Sequence, residues 1–592
     1  MHNIIINVLL ILGGFSTLIA DSEYKFPYIL ILSAVLLATI YNHYNSAYTT
    51  RFNKSTLLFS SVFSIMITVS NYTSFANISL FDNSTDFMIA VYRILRILLV
   101  SLSSLIGFTN LLNCTFYMFT TKSDSISLYL HQPIKINVKS RTVFLITFFS
   151  IVTVDFFFLI MCKYPGNLSI DSISQINQAL TGSYTNHHPV FHTLIIRALL
   201  SIGLALFNDI NCAIALYSIF QILFMAFCFA FSLSTCTEMG ISNKLIIVLG
   251  FFYLLTPYNI LFSFTIWKDV MFSGSVLLFI TILYRLFNNI DNRKMNMALL
   301  FISSVNVCLL RSNGLFVFIL VFMFFSIMHF KKHTNMFIAM TLALTLSLIF
   351  KFVILGALNI PQPDFAEKTS IPLQQIANAY IYSDDFEKEE LAVLSQFMDL
   401  NQIEEEYDPH VSDPIKALVR NTGNHEYINN NKYEFLRLYL SVAIRHPILY
   451  IQAWIDQTGE YWNFGGRPFG IFDGIQDNEL GITRITKMNW VSQLLTDYAK
   501  MFDELPILNF FSSIGLWFGI DLLLLFIAVI KENKNSIILT IPIIGLVLSL
   551  MIATPVNGEF RYVYSIFCSL PALTVFVIND VTMNNSERIE HA

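Results

Sequence analysis

A polar stretch between two apolar segments holds the residues of this chain whose types and spacing best suit chemistry. It contains Asp171 and Gln175 and ends in the pair His187-His188 before Pro189. Charged and polar groups at a bilayer surface are costly unless they bind, pair or react. A solvated loop would explain Asp171 alone, but it explains the whole group less well. We therefore predict a functional site in this stretch.

Further ionisable and polar residues lie at the predicted outer ends of later apolar segments. They are Lys268, Asp269, Arg311, Asn313, Glu559, Arg561 and Tyr562. Any one of the charged groups could instead be a snorkelling or helix-capping side chain. Together, however, guanidinium groups and carboxylates on one face suggest an anionic, phosphate-bearing ligand clamped by arginine. A carboxylate beside it would be free to act as a base.

The composition identifies the elements that must position these residues. Hydrophobic residues make up 55% of the 592-residue chain and charged residues only 13%, against roughly 25% charged residues in a soluble domain. The sequence therefore predicts an all-α polytopic membrane protein. The first apolar run lacks a basic leader and a small-residue cleavage site, so we interpret it as a retained span. The cysteine spacing indicates neither a disulfide framework nor a metal site. A divalent metal stays open as a cofactor but is not indicated.

Fourteen apolar runs approach the length of a membrane span. They lie at about 3–20, 27–41, 56–70, 87–119, 142–162, 211–235, 245–263, 270–288, 295–310, 313–330, 335–356, 506–530, 536–553 and 560–579. Basic clusters between them mark cytoplasmic loops, at Arg51 and Lys54, at Lys122 to Arg141, at Arg285 to Lys294, at Lys331-Lys332 and at Lys531 to Lys534. These clusters alternate consistently if both termini are cytoplasmic. The loop 163–189, which holds Asp171, then faces outward.

The segment 190–207 breaks this alternation. It is long enough to span, but counting it as a crossing would invert every later loop, and Arg197 lies in its middle. We predict a re-entrant or interfacial helix packed under the outer loop. A short hairpin across 190–235 is the alternative.

The segment 357–505 differs in composition from the rest. It contains 23 of the 40 acidic residues and 11 of the 35 basic ones, which leaves it a net charge of −12. Its position in the alternation places it outside, and its periodicity predicts a mostly helical extracytoplasmic domain. We therefore divide the chain into additional N-terminal spans (1–141), a transmembrane core (142–356), this domain (357–505), and C-terminal spans with a cytoplasmic tail (506–592).

The pattern of these elements resembles the GT-C superfamily of multi-spanning glycosyltransferases. The resemblance lies in an Asp in the first large outer loop, a His-Pro that enters a helix, a second Asp after a Pro-containing span, and a C-terminal outer domain. The motifs are similar to those of a little-characterised bacterial branch linked to cell-envelope polysaccharide. They are Tyr164-Pro165-Gly166, Asp171-Ser172, Gln175, Asn186-His187-His188-Pro189, Lys268-Asp269, Arg311-Ser312-Asn313-Gly314 and Gly558-Glu559-Phe560-Arg561-Tyr562. The resemblance covers about residues 142–580.

The resemblance implies a plasma-membrane enzyme with a GT-C-like core of about 14 spans. It would move a sugar from a polyprenyl-phosphate carrier to an envelope glycan or glycolipid such as a teichoic acid, with inversion, and without a nucleic-acid partner. It implies Asp171 and Asp269 as catalytic residues. The implied substrate-binding residues are Gln175, His187, His188, Lys268, Arg311, Asn313, Glu559, Arg561 and Tyr562. The second outer loop departs from the family pattern because it has no Asp-x-Asp, so a metal-dependent mechanism is not implied.

Two other classes of function stay open. A transporter or flippase of lipid-linked sugars should keep ionisable groups or broken helices near the bilayer midplane, together with internal repeats. In this sequence the charges collect at the predicted outer ends, with Arg93, Arg96 and Arg197 as exceptions, and no repeat is visible. The other class is a structural subunit of an envelope-synthesis complex.

Overall fold

The protein is described by a computed structural model over residues 2–22, 25–44, 53–72, 86–131, 138–290, 292–465 and 469–583. In these ranges the chain forms helices joined by loops, with isolated β-bridges and no β-strand. The prediction of an all-α polytopic protein is confirmed at this level. Arg51 and Lys135, which belong to two of the predicted basic loops, lie outside these ranges, as does the predicted tail from 584 onward.

The N-terminal region is a group of apolar helices packed around one long helix. It consists of α1 (His2–Asp21), α2 (Lys25–Tyr44), α3 (Lys54–Ser70), α4 (Asp86–Thr121) and α5 (Ser123–Leu130). The first three pack against α4. Arg96 of α4 forms an ion pair with Asp21 at the end of α1, so one of the arginines predicted inside a span is neutralised. The hydroxyl of Tyr28 donates to Oδ1 of Asn463, 2.7 Å away, which ties this region to the later outer segment.

The central region contains α6 (Ser140–Met161), α7 (Ile170–Thr181), α8 (Val190–Phe207), α9 (Ile210–Glu238), α10 (Asn243–Leu255), α11 (Pro257–Ser263), α12 (Lys268–Phe287), α13 (Arg293–Leu310), α14 (Gly314–His329), α15 (Thr334–Leu348), a π-helical turn (Ile349–Ile354) and α16 (Leu355–Ala357). The most buried of these is α12, which packs against α9 and α13. The break before Pro257 bends α10 and α11 by 53°, because proline cannot donate a backbone hydrogen bond to the preceding turn.

Each of the fourteen predicted apolar runs overlaps one helix or a few consecutive helices, such as the bent pair α10–α11. Within the described ranges, eleven helices are long and apolar enough to cross a membrane, or twelve if the bent pair is one span. Three shorter apolar helices (Lys54–Ser70, Gly314–His329 and Ile514–Ile530) accompany them. The protein is therefore a multi-pass membrane protein. The eleven include α8, which the basic-loop pattern predicts not to cross.

Both ends of α8 contact the same segment of the chain. Before its first turn, the backbone N–H of Asn186 donates to the carbonyl of Pro361 at 2.8 Å. Just beyond its last turn, Oδ1 of Asn211 accepts from the backbone N–H of Thr483 at 3.2 Å. Pro361 and Thr483 both belong to the predicted extracytoplasmic segment. We call this side, which also carries Asp171, the outer side. A helix with both ends there fits the predicted interfacial or re-entrant element.

The outer segment consists of α17 (Phe365–Lys368), α18 (Ser370–Tyr382), α19 (Lys388–Phe397), α20 (Ile403–Glu406), α21 (Asp413–Asn421), α22 (His425–Asn430), α23 (Lys432–Arg445), α24 (Pro447–Thr458) and α25 (Asn489–Glu504). Its first part has a hydrophobic core of its own, from Phe365 to Tyr450. Its second part, from Ile455 to Phe502, packs into the core of the spanning helices. The segment predicted as one domain thus divides into a separate helical unit and a lining of the membrane core.

The C-terminal region consists of α26 (Ile514–Ile530), α27 (Lys534–Ala553) and α28 (Phe560–Thr582). α28 packs along α12, so that Glu559 and Arg561 meet the start of α12 on the outer side. The loop before α28 is fastened to the outer unit, since the backbone N–H of Ser412 donates to the carbonyl of Pro555 at 2.8 Å.

Candidate active site at the outer ends of the spans

The first outer loop is locked onto the turn that precedes α12. Gly166 has φ +143°, and a Cβ there would lie 2.5 Å from Oγ of Ser218 and 2.8 Å from the carbonyl oxygen of Phe264, so only glycine fits. The next residue, Asn167, donates its backbone N–H to that same carbonyl at 2.9 Å and its side-chain amide to Oγ1 of Thr265 at 3.1 Å. The Pro-Gly motif therefore serves close packing of two loops.

Asp171 is positioned by the first turn of α7. Ser169 and Ser172 form a reciprocal capping box there, which satisfies backbone donors that a helix start leaves free. Ser172 also donates to the carbonyl of Ile266 at 2.8 Å, and the indole N–H of Trp267 donates to Oγ of Ser169 at 2.7 Å. These bonds fix the start of α7 beside the start of α12. Asp171, in the first turn, also gains from the positive end of the helix dipole.

Three basic side chains surround the Asp171 carboxylate. Nη1 of Arg561 lies 3.0 Å from its Oδ2, Nζ of Lys268 lies 3.8 Å from the same oxygen, and Nε2 of His188 lies 4.0 Å from its Oδ1. Burial raises the pKa of this carboxyl, but the charges of Lys268 and Arg561 outweigh burial and lower the pKa to about 2. The side chain keeps 30% of its surface exposed. Asp171 is thus ionised and accessible.

His188 is held as a neutral imidazole. Burial, reinforced by the nearby charge of Lys268, lowers its pKa to about 3. Nζ of Lys268 lies 3.4 Å from Nδ1 of His188, and an ammonium group can only donate. Nδ1 is therefore the acceptor, and the ring proton belongs on Nε2, the nitrogen that faces Asp171. In this arrangement His188 presents an N–H to whatever lies against the carboxylate.

Arg311 and Asp269 form a second, more deeply buried pair. Nη1 of Arg311 lies 3.1 Å from Oδ1 of Asp269 and donates to the carbonyl of Tyr562 at 2.7 Å. The guanidinium carbon also lies 4.9 Å from the centre of the Tyr562 ring. Asp269 is only 1% exposed, and neither of its oxygens accepts a hydrogen bond from the described residues. The pair is held by charge, and Asp269 does not face the open side of the cluster.

Arg561 bridges Asp171 to Glu559. Its Nε lies 3.2 Å from Oε1 of Glu559, while its guanidinium carbon lies 5.1 Å from the ring centre of Trp267 and 5.2 Å from that of Tyr562. Burial raises the pKa of the Glu559 carboxyl, against the opposing charge of Arg561. The arginine is therefore shared between two carboxylates whose affinities for protons differ.

The structure brings together eight of the eleven residues predicted for the site. These are Asp171, His188, Lys268, Asp269, Arg311, Glu559, Arg561 and Tyr562. Gln175 lies behind them, buried, where it donates to Oγ1 of Thr193 at 3.0 Å. Asn313 lies apart and donates to Oγ of Ser549 at 2.8 Å. His187 is exposed, with its ring centre 4.7 Å from that of His188. A ligand or catalytic role for each of the eleven residues stays a prediction.

A buried polar network beneath the cluster was not predicted. Oε1 of Gln175 lies 3.1 Å from Nδ1 of His192, whose Nε2 lies 2.6 Å from the hydroxyl of Tyr217. That hydroxyl donates to Gln221, and the Gln221 amide donates to three carbonyls, those of Phe262, Ser263 and Thr265. The network fixes the turn that presents Lys268. Gln221 could have been found from the sequence as a polar residue inside a spanning run.

Two buried aspartates must be added to Arg93, Arg96 and Arg197 as charged residues that lie away from the predicted outer ends. Asp155 of α6 is 4% exposed and Asp521 of α26 is fully buried. Neither oxygen of Asp521 accepts a hydrogen bond from the described residues. Asp155 lies inside a candidate span and Asp521 inside one of the three shorter apolar helices, and ionisable groups in such segments are costly and commonly functional. Neither aspartate could be singled out from the sequence, because a single aspartate hardly changes the hydropathy of a long apolar run.

Candidate metal ligands do not cluster in the described part of the chain. No group of three or more His, Cys, Asp or Glu side chains is arranged there to hold an ion. At the outer cluster, the carboxylates of Asp171, Asp269 and Glu559 are instead each paired with a basic side chain. The arrangement suits binding of an anion that competes for those cations, with proton transfer to the carboxylate that becomes free.

Comparison with known proteins gives a family without an assigned activity. Residues 176–590, more than half of the 592-residue chain, match the model described as "Family of unknown function (DUF6020)". No curated protein and no solved structure matches.

Proposed function

The chain belongs to DUF6020, a family of unknown function, and we propose that it is a plasma-membrane glycosyltransferase of GT-C type. It would transfer a sugar from a polyprenyl-phosphate carrier to an envelope glycan or glycolipid on the outer side. One observation carries this proposal. An ionised, partly exposed Asp171 lies among Arg561, Lys268 and the neutral His188 at the outer ends of the spans.

A carboxyl with a pKa of about 2 is a weak base by itself, because a general base works best when its pKa is near the working pH. Binding of the donor phosphate would make Asp171 a stronger base. Its negative charge competes for Lys268 and Arg561, and as these cations turn toward the phosphate, the pKa of Asp171 rises toward the ordinary range. In this proposal, binding of the donor activates the base.

The transfer step is a displacement at the anomeric carbon. Asp171 takes the proton from an acceptor hydroxyl, and the hydroxyl oxygen forms a bond to the anomeric carbon from the face opposite the phosphate. The bond between that carbon and the phosphate oxygen breaks, and its electron pair leaves with the lipid phosphate. Lys268, Arg561 and the Nε2–H of His188 stabilise the growing negative charge, which is commonly the largest catalytic contribution. The product is inverted at the anomeric carbon.

The experiment follows the leaving group. The purified full-length protein is incubated with a panel of polyprenyl-phosphate hexoses and with candidate glycan and glycolipid acceptors, and the released polyprenyl phosphate is measured by mass spectrometry. Acceptor-dependent release that Asp171→Asn abolishes supports the proposal. Absence of release with every donor and acceptor, from protein that is folded and binds no donor, contradicts it.

The buried Asp155 and Asp521 favour a second candidate, a transporter or flippase of lipid-linked sugars, because such proteins keep ionisable groups inside the membrane. The two functions differ in what happens to the donor. A transferase breaks the donor in detergent, where no two sides exist, whereas a transporter only moves it across vesicles. Flipping in vesicles that Asp521→Asn stops, without breakdown of the donor, would favour the transporter.

A further inference from the structure

A lysine in the π-helical turn that follows α15 is not explained by the cluster around Asp171. Lys351 lies in the π-helical turn Ile349–Ile354, near the outer end of a helix long and apolar enough to span. Its neighbours Phe352 and Val353 are 66% and 60% exposed, as expected of side chains that contact lipid. π-Helical turns are rare and occur frequently at functional sites, and a charge in such a segment is costly unless it has a ligand or partner.

The charge of Lys351 is not neutralised by the described part of the protein. Its Nζ donates to the carbonyl of Ser312 at 3.1 Å, in the hairpin between α13 and α14. No described carboxylate lies within ion-pair distance of it, whereas the adjacent Arg311 is paired with Asp269. A carbonyl oxygen satisfies one N–H of the ammonium but leaves its charge uncompensated. An anionic ligand would compensate that charge.

A small cavity lies between this lysine and Arg311 of the candidate active site. A cavity of about 20 Å³ is lined by Lys351 and Phe350 of the π-helical turn, by Phe191 of α8 and by Arg311. The rings of Phe191 and Phe350 meet edge to face, with their centres 6.0 Å apart. This volume is sufficient for about one water, so a phosphate can pass only if the two rings separate. Of the residues in the outer cluster, Arg311 lines this cavity.

We propose that Lys351 is the first contact of the lipid phosphate, which enters the site sideways from the bilayer between α8 and the π-helical turn. The phosphate would bind the ammonium group of Lys351 in preference to the Ser312 carbonyl, which is the weaker acceptor. The prenyl tail would stay in lipid against Phe352 and Val353. This inference rests on the proposed function. It adds a binding residue and a route that the sequence motifs do not contain.

The test measures binding separately from turnover. Polyprenyl phosphate, phosphatidylglycerol and inorganic phosphate are each titrated onto the purified full-length protein. The variants are Lys351→Gln, which removes the charge, Lys351→Arg, which keeps it, and Lys432→Gln as a control at an exposed lysine of the outer unit. We expect Lys351→Gln to weaken binding of polyprenyl phosphate by about tenfold or more, the loss typical of a hydrogen bond to a charged group. Lys351→Arg should restore most of the affinity, and Lys432→Gln should bind as the native protein does.

The outcomes separate this inference from the proposed function. If the native protein binds polyprenyl phosphate and Lys351→Gln binds it equally well, the route is wrong and the proposed function is unaffected. If phosphatidylglycerol binds as tightly and with the same dependence on Lys351, the residue holds ordinary headgroups and the carrier assignment is wrong. If the native protein binds no polyprenyl phosphate, the proposed function itself fails. Elution as a single monodisperse peak shows that each variant is folded.

Discussion

Replacing Asp171 by asparagine tests the central step of the proposed mechanism. The substitution keeps the size of the side chain and removes its charge and its ability to take a proton. Loss of a general base costs about 10²–10⁴-fold in rate. We therefore expect release of polyprenyl phosphate to fall by that factor, while the variant still inserts and folds. The exposed Asp497 on α25 provides a matched control, since Asp497→Asn should leave the rate unchanged.

The structure also sets the size of the effect on stability. The pKa of Asp171 is about 2, against about 3.9 for an unperturbed aspartate. A difference of about two units corresponds to about 2–3 kcal/mol of favourable interaction in the folded state. Because the folded pKa is lowered, this contribution is present above about pH 4 and is lost as the pH falls through about 2. At neutral pH, Asp171→Asn should lower the free energy of unfolding by at most this amount.

Asp171→Asn should lower the rate and the stability, but it should not weaken donor binding. In the native protein, Asp171 and the lipid phosphate compete for Lys268 and Arg561. Without the carboxylate, both cations are free, so Asp171→Asn should bind polyprenyl phosphate at least as tightly as the native protein. Titration of the lipid onto both proteins, beside the release assay, measures this. Weaker binding by the variant would refute the competition between carboxylate and phosphate. A native release rate would place the base elsewhere, with Glu559 as the next candidate.

The remaining predictions concern the second ion pair, pH and topology. Arg311→Ala leaves Asp269 as an uncompensated buried charge, so it should lower the free energy of unfolding by about 3–5 kcal/mol, measured by thermal unfolding. Adding Asp269→Asn should restore part of the lost stability. An unchanged melting temperature in Arg311→Ala would show that the pair is not structural. Since burial raises the pKa of Glu559, the rate should fall on the acid side at a pH above the ordinary value for a glutamate, and Glu559→Gln should remove that fall. A fall that survives in Glu559→Gln belongs to another group. A cysteine at the exposed Glu405 should react with an impermeant thiol reagent in intact cells. Reaction only after lysis would show that the outer side is cytoplasmic and that the predicted topology is wrong.

Much of the secondary structure could be predicted from the sequence. Inside a bilayer the backbone must satisfy its own hydrogen bonds, so an apolar run of spanning length has to be helical. This is why the fourteen runs and the helices coincide. The candidate site could be predicted in part for a related reason. Charged side chains near apolar runs are rare and costly, so Asp171, Lys268, Arg311 and Arg561 stand out by residue type alone.

The partners of these residues could not be predicted, because they are set by how the helices pack. Arg561 and Asp171 are 390 positions apart, and nothing in the local sequence of either indicates the other. Asp155 and Asp521 were missed since a single carboxylate does not alter the hydropathy of a helix. The division of the segment 357–505 was missed because its two parts are both amphipathic, and periodicity shows that a face is buried without showing against what.

The sequence by itself therefore determined that this protein is an α-helical, multi-pass membrane protein with a group of basic and acidic residues beside its apolar runs. Only the tertiary structure decided that Arg311 is already neutralised by Asp269, whereas the described carboxylates leave Lys351 uncompensated. The physical reason is that local composition fixes backbone hydrogen bonding and burial, which depend on each segment alone. The state of a charged group depends on which other charges lie within a few ångströms, and long-range packing alone sets that distance.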